Sequence, residues 1–276
     1  MSKHVLQLDY NREAYLNMKK RGFTIAEVMI TLAIIGVIAA LIIPTFISGY
    51  RKQVYANTLS KAVSDFEMAM SAMMIKDGAD NLFGTRAWRD LAGEPLNSET
   101  EEEAVRLYVT NFGRTMGLLY EPEQKTVADF YSGLSVSDLD GSVLDFEEEL
   151  IFASAVPLRN KHEVVYFINI ENSVSDVIGL SENTVLNAGT NLAQVAAVII
   201  IDINGRNAPN ILGRDIFHFV LGADGRLYPE GCRDLAVYMN EGSDEFYEDV
   251  ATRCVTNREG AACAAYLMNN KYRMDY

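Results

Sequence analysis

Histidine and cysteine are both scarce in this sequence of 276 residues, which contains only three of each. They are His4, His162 and His218, and Cys232, Cys254 and Cys263. So few histidines disfavour a histidine-based metal centre or a catalytic triad. So few cysteines, all of them late in the chain, exclude a small disulfide-dense scaffold.

Basic residues are also few, with 24 Lys and Arg against 38 Asp and Glu and a formal net charge of -14. Because nucleic acid is a polyanion, this balance disfavours general nucleic-acid binding, and no nucleic-acid partner is predicted. Hydrophobic residues make up 49% of the chain and charged residues 22%. That composition suits a packed core and excludes a disordered or collagen-like chain.

Sequence motifs of catalysis are missing as well. No Gly-x-Ser-x-Gly nucleophile elbow surrounds Ser135, Ser137 or Ser154. The chain has neither a CxxC pair nor a glycine-rich phosphate-binding loop. We therefore predict that the protein is not an enzyme.

One long apolar run dominates what is present. The segment from Phe23 to Ile43 has 21 residues and a single charge, Glu27. As a helix it would be about 31 Å long, which matches the ~30 Å hydrocarbon core of a bilayer. The next most apolar run, Val195 to Ile201, is short and β-branched and is typical of a buried strand. The sequence thus predicts a single membrane-spanning helix over 23–43.

A basic stretch, Lys19 to Arg21, precedes this run, and a secretory signal peptide would begin in a similar way. However, the apolar region of a signal peptide has ~7–15 residues, fewer than here. Pro44 follows the run, where a signal peptide would have a small-residue cleavage site. An ordinary membrane anchor remains the simpler alternative.

The string KKRGFTIAE, residues 19–27, resembles the processing site of type IV pilins and of the pseudopilins of type II secretion. The resemblance continues to about Ile75. It implies that a prepilin peptidase cuts between Gly22 and Phe23 and that Phe23 is then N-methylated. Residues 1–22 would be a removed leader, and a start at Met18 would shorten that leader to five residues.

The same resemblance assigns roles in filament assembly. Glu27 would be the acidic fifth residue of the mature chain, and Gly36 and Pro44 occupy positions where the family often weakens its helix. It implies an inner-membrane protein with a cytoplasmic N-terminus, as the basic cluster before the span also suggests. The remainder of the chain, 77–276, would form an extracytoplasmic head.

Helical periodicity continues beyond the span. Apolar residues recur every three or four positions: Tyr55, Leu59, Val63, Phe66, Met70 and Met73. The pattern predicts one long helix over 23–76, with Pro44 as a kink and Gly78 as the C-cap. A capping box at Ser98 to Glu101 predicts a further helix over 98–112.

Strand patterns lie later, over 150–156, 164–170, 195–203 and 215–221. Together with the helix they predict an α+β fold in which an antiparallel meander closes over the long helix, and the resemblance implies that this fold is of the type IV pilin kind. In that fold a long N-terminal helix packs on a C-terminal antiparallel sheet.

Oxygen-rich turns offer one candidate metal site, which is a calcium site formed by Asp202, Asn204, Asp215 and Asp224. The glycine spacing is not that of an EF-hand loop. Some pseudopilins hold calcium in a C-terminal loop, so the resemblance admits the ion as a cofactor. Asp, Asn and Gly also simply form tight turns, and we favour that interpretation.

Cys254 and Cys263 are nine residues apart around a turn-capable loop, and they are the first choice for a disulfide, which would leave Cys232 unpaired. A single C-terminal disulfide also fits the resemblance, although the resemblance does not choose the pair. A fully reduced set of cysteines is the alternative.

These features together predict a structural subunit of a type IV pilus or a type II secretion pseudopilus. Its partners would be the prepilin peptidase, other pilin or pseudopilin subunits and an inner-membrane assembly platform. After assembly it would lie in a cell-surface or periplasmic filament. One alternative is a minor tip subunit that binds a ligand or surface, and another is an anchored enzyme that shares only the leader.

Overall fold

The computed structural model describes residues 22–87, 113–120, 126–144, 155–169, 195–229 and 250–276. The chain divides into two compact units, Met1–Tyr50 and Arg51–Tyr276. A single helix, α1, covers Ile25–Asp77 and contributes residues to both. It confirms the predicted long N-terminal helix. The predicted helix over 98–112 lies outside the described residues.

Helix α1 ends where the sequence indicates. Gly78 adopts a left-handed backbone with φ of 63°, its N–H donates to the Ile75 carbonyl (3.2 Å), and the Ala79 N–H donates to the Met74 carbonyl (3.0 Å). This pair of bonds is a Schellman cap, in which glycine meets the left-handed requirement without a steric penalty. The predicted C-cap is therefore confirmed.

The described part of the second unit contains five antiparallel strands in the order β1-β2-β3-β4-β5. They are β1 (Val156–Arg159), β2 (Val165–Asn169), β3 (Val195–Asp202), β4 (Ile216–Gly222) and β5 (Leu227–Pro229). Each strand pairs with the next along the chain, so the sheet is the predicted meander. The α+β class with a long helix and an antiparallel sheet is confirmed.

The first strand begins later than its pattern suggested. The predicted range was 150–156, whereas β1 covers Val156–Arg159, so the two share only Val156. Residues 150–154 lie outside the described residues. The turn into β2 sets this register, because the Asn160 side chain accepts bonds from the His162 and Val164 amides (2.8 and 3.1 Å). Pro157 is tolerated because β1 is an edge strand.

Both faces of the sheet are buried. One face packs on α1, where Phe66 lies against Tyr166 with ring centroids 5.6 Å apart and the Tyr166 hydroxyl donates to the Ala62 carbonyl (3.2 Å). On the other face, Phe167 packs against Phe130. Covered on both sides, β2 to β4 are almost continuously apolar, which explains why their patterns resemble unbroken buried strands.

Three short helices and three tight turns complete the described secondary structure. The helices are α2 (Arg114–Met116), α3 (Val127–Phe130) and α4 (Cys263–Asn269). A π-helical turn covers Thr252–Thr256, and a 3-10 turn covers Gly260–Ala262. Another 3-10 turn, Leu82–Gly84, follows α1. The C-terminal elements bring residues 250–276 next to the loop between β3 and β4.

Candidate functional site

The predicted processing and assembly residues lie at the start of α1. Gly22, Phe23 and Thr24 precede the helix, which begins at Ile25. The Glu27 amide donates to Thr24 Oγ1 (3.2 Å), and the Thr24 amide donates to Glu27 Oε2 (2.8 Å). The Thr24 hydroxyl also donates to Glu27 Oε2 (2.9 Å). These reciprocal bonds form a capping box that closes the helix N-terminus.

This cap assigns Glu27 a local partner that the sequence analysis did not consider. The sequence contains the signal for this cap, because Thr24 and Glu27 have the Thr-x-x-Glu spacing of a capping box. All three bonds use Glu27 Oε2 or the Glu27 amide. Within the described part of the chain, Oε1 accepts no hydrogen bond and remains available to a second donor.

Gly22 is exposed, and a Cβ built on it would meet no atom within 4 Å. Its backbone also has no positive φ that would demand glycine. Neither packing nor conformation of this chain therefore requires glycine at position 22. Any requirement for it must come from another molecule that contacts this segment.

The first half of α1 exposes an apolar surface on all sides. Phe23, just before the helix, is 86% exposed, and large apolar side chains of α1 remain exposed up to Val54. This half of the helix, Ile25 to Tyr50, is strongly apolar, and none of its residues is buried. Among the described helices, α1 is long and apolar enough to cross a membrane, and its exposure indicates that something else covers this surface.

Gly36 and Pro44 both lie inside α1, which continues through them. A Cβ on Gly36 would meet no atom within 4 Å, so glycine is not needed for packing within this chain. Pro44 has no N–H to donate to the Ala40 carbonyl, which weakens the helix at this point. Pro44 thus affects the helix backbone, and Gly36 is an open position within the helix.

The candidate calcium residues fall into two places. Asp202, Asn204 and Asp215 lie at the ends of the loop that joins β3 to β4. Asp224 lies beyond the opposite end of β4, a strand of seven residues that is about 23 Å long. The structure therefore does not bring all four residues to one site.

Asp202 closes its own turn. It is fully buried and accepts bonds from the Tyr131 hydroxyl (2.5 Å) and from the amides of Asn204 and Gly205 (3.0 and 2.8 Å). Burial raises the pKa of Asp202 to about 8, although these three donors oppose the shift. Its oxygens are used by donors from the protein itself.

Asp215 is also buried and accepts bonds from the amides of Asn210 and Ile211 (2.9 and 2.6 Å). Burial raises the pKa of Asp215 as well. Asn204 Nδ2 donates to the Asn207 carbonyl (2.8 Å). Across the described residues, no group of three or more His, Cys, Asp or Glu side chains could hold a metal ion. The contacts accord with the turn interpretation that the sequence favoured.

The predicted disulfide is confirmed. Cys254 in the π-helical turn is bonded to Cys263 at the start of α4, with their Cα atoms 4.9 Å apart. Both cysteines are buried, and with Ala262 they form a small apolar cluster that Tyr276 packs against. Cys232 lies outside the described residues.

Comparison with known protein families identifies the N-terminal segment. Residues 17–43 match the family model of the prokaryotic N-terminal methylation motif, which is the signature of type IV pilins and pseudopilins. This match covers the basic stretch, Gly22, Phe23, Glu27 and the apolar run. No curated protein and no solved structure matches the chain. The chain therefore carries the N-terminal signature of type IV pilins and pseudopilins, joined to a pilin-like α+β architecture.

Proposed function

We propose that the protein is a structural subunit of a type IV pilus or a type II secretion pseudopilus. The observation that carries the proposal is the methylation motif at residues 17–43, whose apolar part from Ile25 onward lies on a helix with exposed apolar side chains. A prepilin peptidase cuts between Gly22 and Phe23 and removes residues 1–22. Phe23 then becomes the methylated N-terminus of the mature chain.

The exposed apolar surface of α1 explains how such a subunit is used. Residues 23–43 first span the inner membrane, with the N-terminus in the cytoplasm and residues 77–276 on the other side. Assembly moves the helix from lipid into a bundle of identical or similar helices, where its apolar side chains stay out of water. Exchange of one apolar environment for another lets the subunit leave the membrane with the help of the assembly platform.

Glu27 is the one charge in the apolar run, and its capping bonds leave Oε1 without a hydrogen bond from the described residues. Cleavage before Phe23 creates an amine close to this carboxylate along the chain. In a filament core of low dielectric, that amine from the same or a neighbouring subunit pairs strongly with Glu27. The pair fixes the axial register of one helix against the next.

Three variants separate this assembly role from the local cap. Glu27→Ala removes the carboxylate, Glu27→Gln keeps a capping oxygen without the charge, and Thr24→Val removes the capping hydroxyl but keeps Glu27. We expect all three to be inserted and cleaved normally. The two Glu27 variants should enter filaments poorly, while the Thr24 variant should enter them like the wild type.

The measurement compares membrane and sheared-filament fractions of cells that assemble the filament. Equal incorporation of Glu27→Ala and the wild type would show that Glu27 is not the register contact. If Thr24→Val were lost from filaments as strongly as Glu27→Ala, the cap would be the important feature. The amount of this chain in sheared filaments also distinguishes a main subunit from a minor tip subunit.

Processing has its own test, because position 22 can accept a side chain without any clash inside this chain. Gly22→Val should leave an uncut but membrane-inserted precursor, whereas Gly49→Val, at an equally open position, should be cut normally. Mass analysis of the wild-type N-terminus should find methylated Phe23. A mature chain that begins after Thr45 would indicate an ordinary signal peptide and would overturn the proposal.

A further inference from the structure

A small cavity of about 200 Å³ lies in the second unit, near the C-terminal segment. It has room for several waters, since one water needs only ~10–15 Å³ of such volume. It is lined by three basic residues and five others: Lys52, Arg214 and Arg258, and Leu139, Cys254, Val255, Met274 and Tyr276. None of the lining residues has an acidic side chain, although the chain as a whole has a net charge of -14.

The three basic residues differ in what they already bind. Lys52 Nζ donates to the main-chain oxygen of Tyr276, so this ammonium has a partner inside the protein. Arg258 Nε donates to the Leu139 carbonyl (2.8 Å), which leaves its two terminal nitrogens without a bond from the described residues. The half-buried Arg214 side chain has no hydrogen bond or ion pair within the described part of the chain.

The geometry around Arg258 indicates that it is held in place. Arg258 has a left-handed backbone with φ of 57°, an uncommon conformation for a residue with a side chain. It follows the π-helical turn that carries Cys254, and the disulfide to Cys263 anchors that turn. The bond from Nε to the Leu139 carbonyl fixes the guanidinium at the cavity wall.

Acidic groups near the cavity do not cancel its charge. The Asp140 carboxylate attracts Arg258 electrostatically. However, this exposed carboxylate is outside the lining and already accepts bonds from the amide and hydroxyl of Ser142. Asp215, next to Arg214, accepts bonds from two backbone amides. Both guanidinium groups therefore face the cavity without an acidic side chain in its lining, and the terminal main-chain oxygen of Tyr276 there is bound by Lys52.

We propose that this cavity binds a small oxyanion, a phosphate group, held between Arg214 and Arg258. The planar guanidinium fork matches the oxygen geometry of phosphate and donates two parallel hydrogen bonds to it. The apolar wall formed by Leu139, Val255 and Met274 lowers the local dielectric constant, which strengthens the attraction. The phosphate can be the free ion or an ester on a larger molecule. This binding does not depend on the proposed filament role.

The test titrates the full chain in neutral detergent with inorganic phosphate and, separately, with glycerol phosphate. Calorimetry is performed at constant ionic strength, with chloride as the reference anion. We expect saturable binding by the wild type and about tenfold or greater weakening in Arg214→Gln, since a hydrogen bond to a charged group contributes substantially. Arg214→Lys keeps the charge without the fork and should weaken binding less.

The control is Arg226→Gln, which removes an exposed arginine from the turn between β4 and β5 and should bind like the wild type. Arg258→Gln should bind weakly, and an unchanged melting temperature would show that the loop held by Leu139 remains folded. Tighter binding of glycerol phosphate than of inorganic phosphate would show that the ligand is a phosphate ester on a larger molecule. No saturable binding by the wild type, or equal binding by Arg214→Gln and Arg226→Gln, would overturn the proposal.

Discussion

Removing the Cys254–Cys263 bridge is a direct test of how the C-terminal segment is held in place. The two cysteines are nine residues apart, and for a loop of that size the chain-entropy model predicts a contribution of about 2.6 kcal/mol at 25 °C. Typical domains have an unfolding free energy of only about 5–15 kcal/mol, so the loss should be large. Alanine is the better replacement, because Cys254 and Cys263 are buried in an apolar cluster where serine would place two hydroxyls.

The assay is urea denaturation of the full chain in detergent, followed by near-ultraviolet circular dichroism of the packed aromatic side chains. With a slope of about 1–3 kcal/mol per M, the double Cys254→Ala/Cys263→Ala variant should lose about 0.9–2.6 M in its midpoint. Cys232→Ala keeps the bridge and is the matched control. A loss below about 0.5 kcal/mol in the double variant would refute the entropic reasoning, and a Cys232 peptide linked to either partner would refute the pairing.

Two further predictions concern the second unit. Phe66→Ala should reduce the free energy of unfolding by about 3–5 kcal/mol, because Phe66 is fully buried between α1 and the sheet. Met68→Ala, two residues further on and 64% exposed, should change it by less than about 0.5 kcal/mol in the same urea assay. Burial raises the pKa of Asp202 to about 8. The contribution of Asp202 to the free energy of unfolding is therefore complete below about pH 4 and is lost as the pH rises through 8. Between these limits the wild type should lose up to about 1.4 kcal/mol per pH unit relative to Asp202→Asn, and equal pH slopes in urea unfolding would contradict this.

Several features could be predicted from the sequence because they depend on neighbours along the chain. Helix α1 follows from an apolar run continued by a three- to four-residue period, and Gly78 follows from the rule for helix ends. The disulfide joins two cysteines whose short separation limits their distance in any fold. The capping box of Thr24 and Glu27 is equally local and could have been predicted from its spacing.

The bounds of strand β1 were harder to predict, because its own sequence pattern is weak. Strand β1 is displaced toward Arg159 because its register depends on β2 and on the Asn160 turn. Its own sequence contains Pro157, which weakens a strand pattern although an edge strand can accept it. Pairing with a neighbour decided these bounds, and a single-strand pattern contains no information on register.

The sequence by itself determined the long helix, its apolar first half, the methylation signature and the meander, since each is a periodic or contiguous pattern. Only the tertiary structure decided which distant groups meet. It brings Tyr131 to Asp202 and Arg214 to Arg258, and it places Asp224 at the far end of β4 from Asp215. These contacts depend on sheet register and on where each loop returns, and such long-range geometry is set by packing of the whole chain rather than by any local pattern.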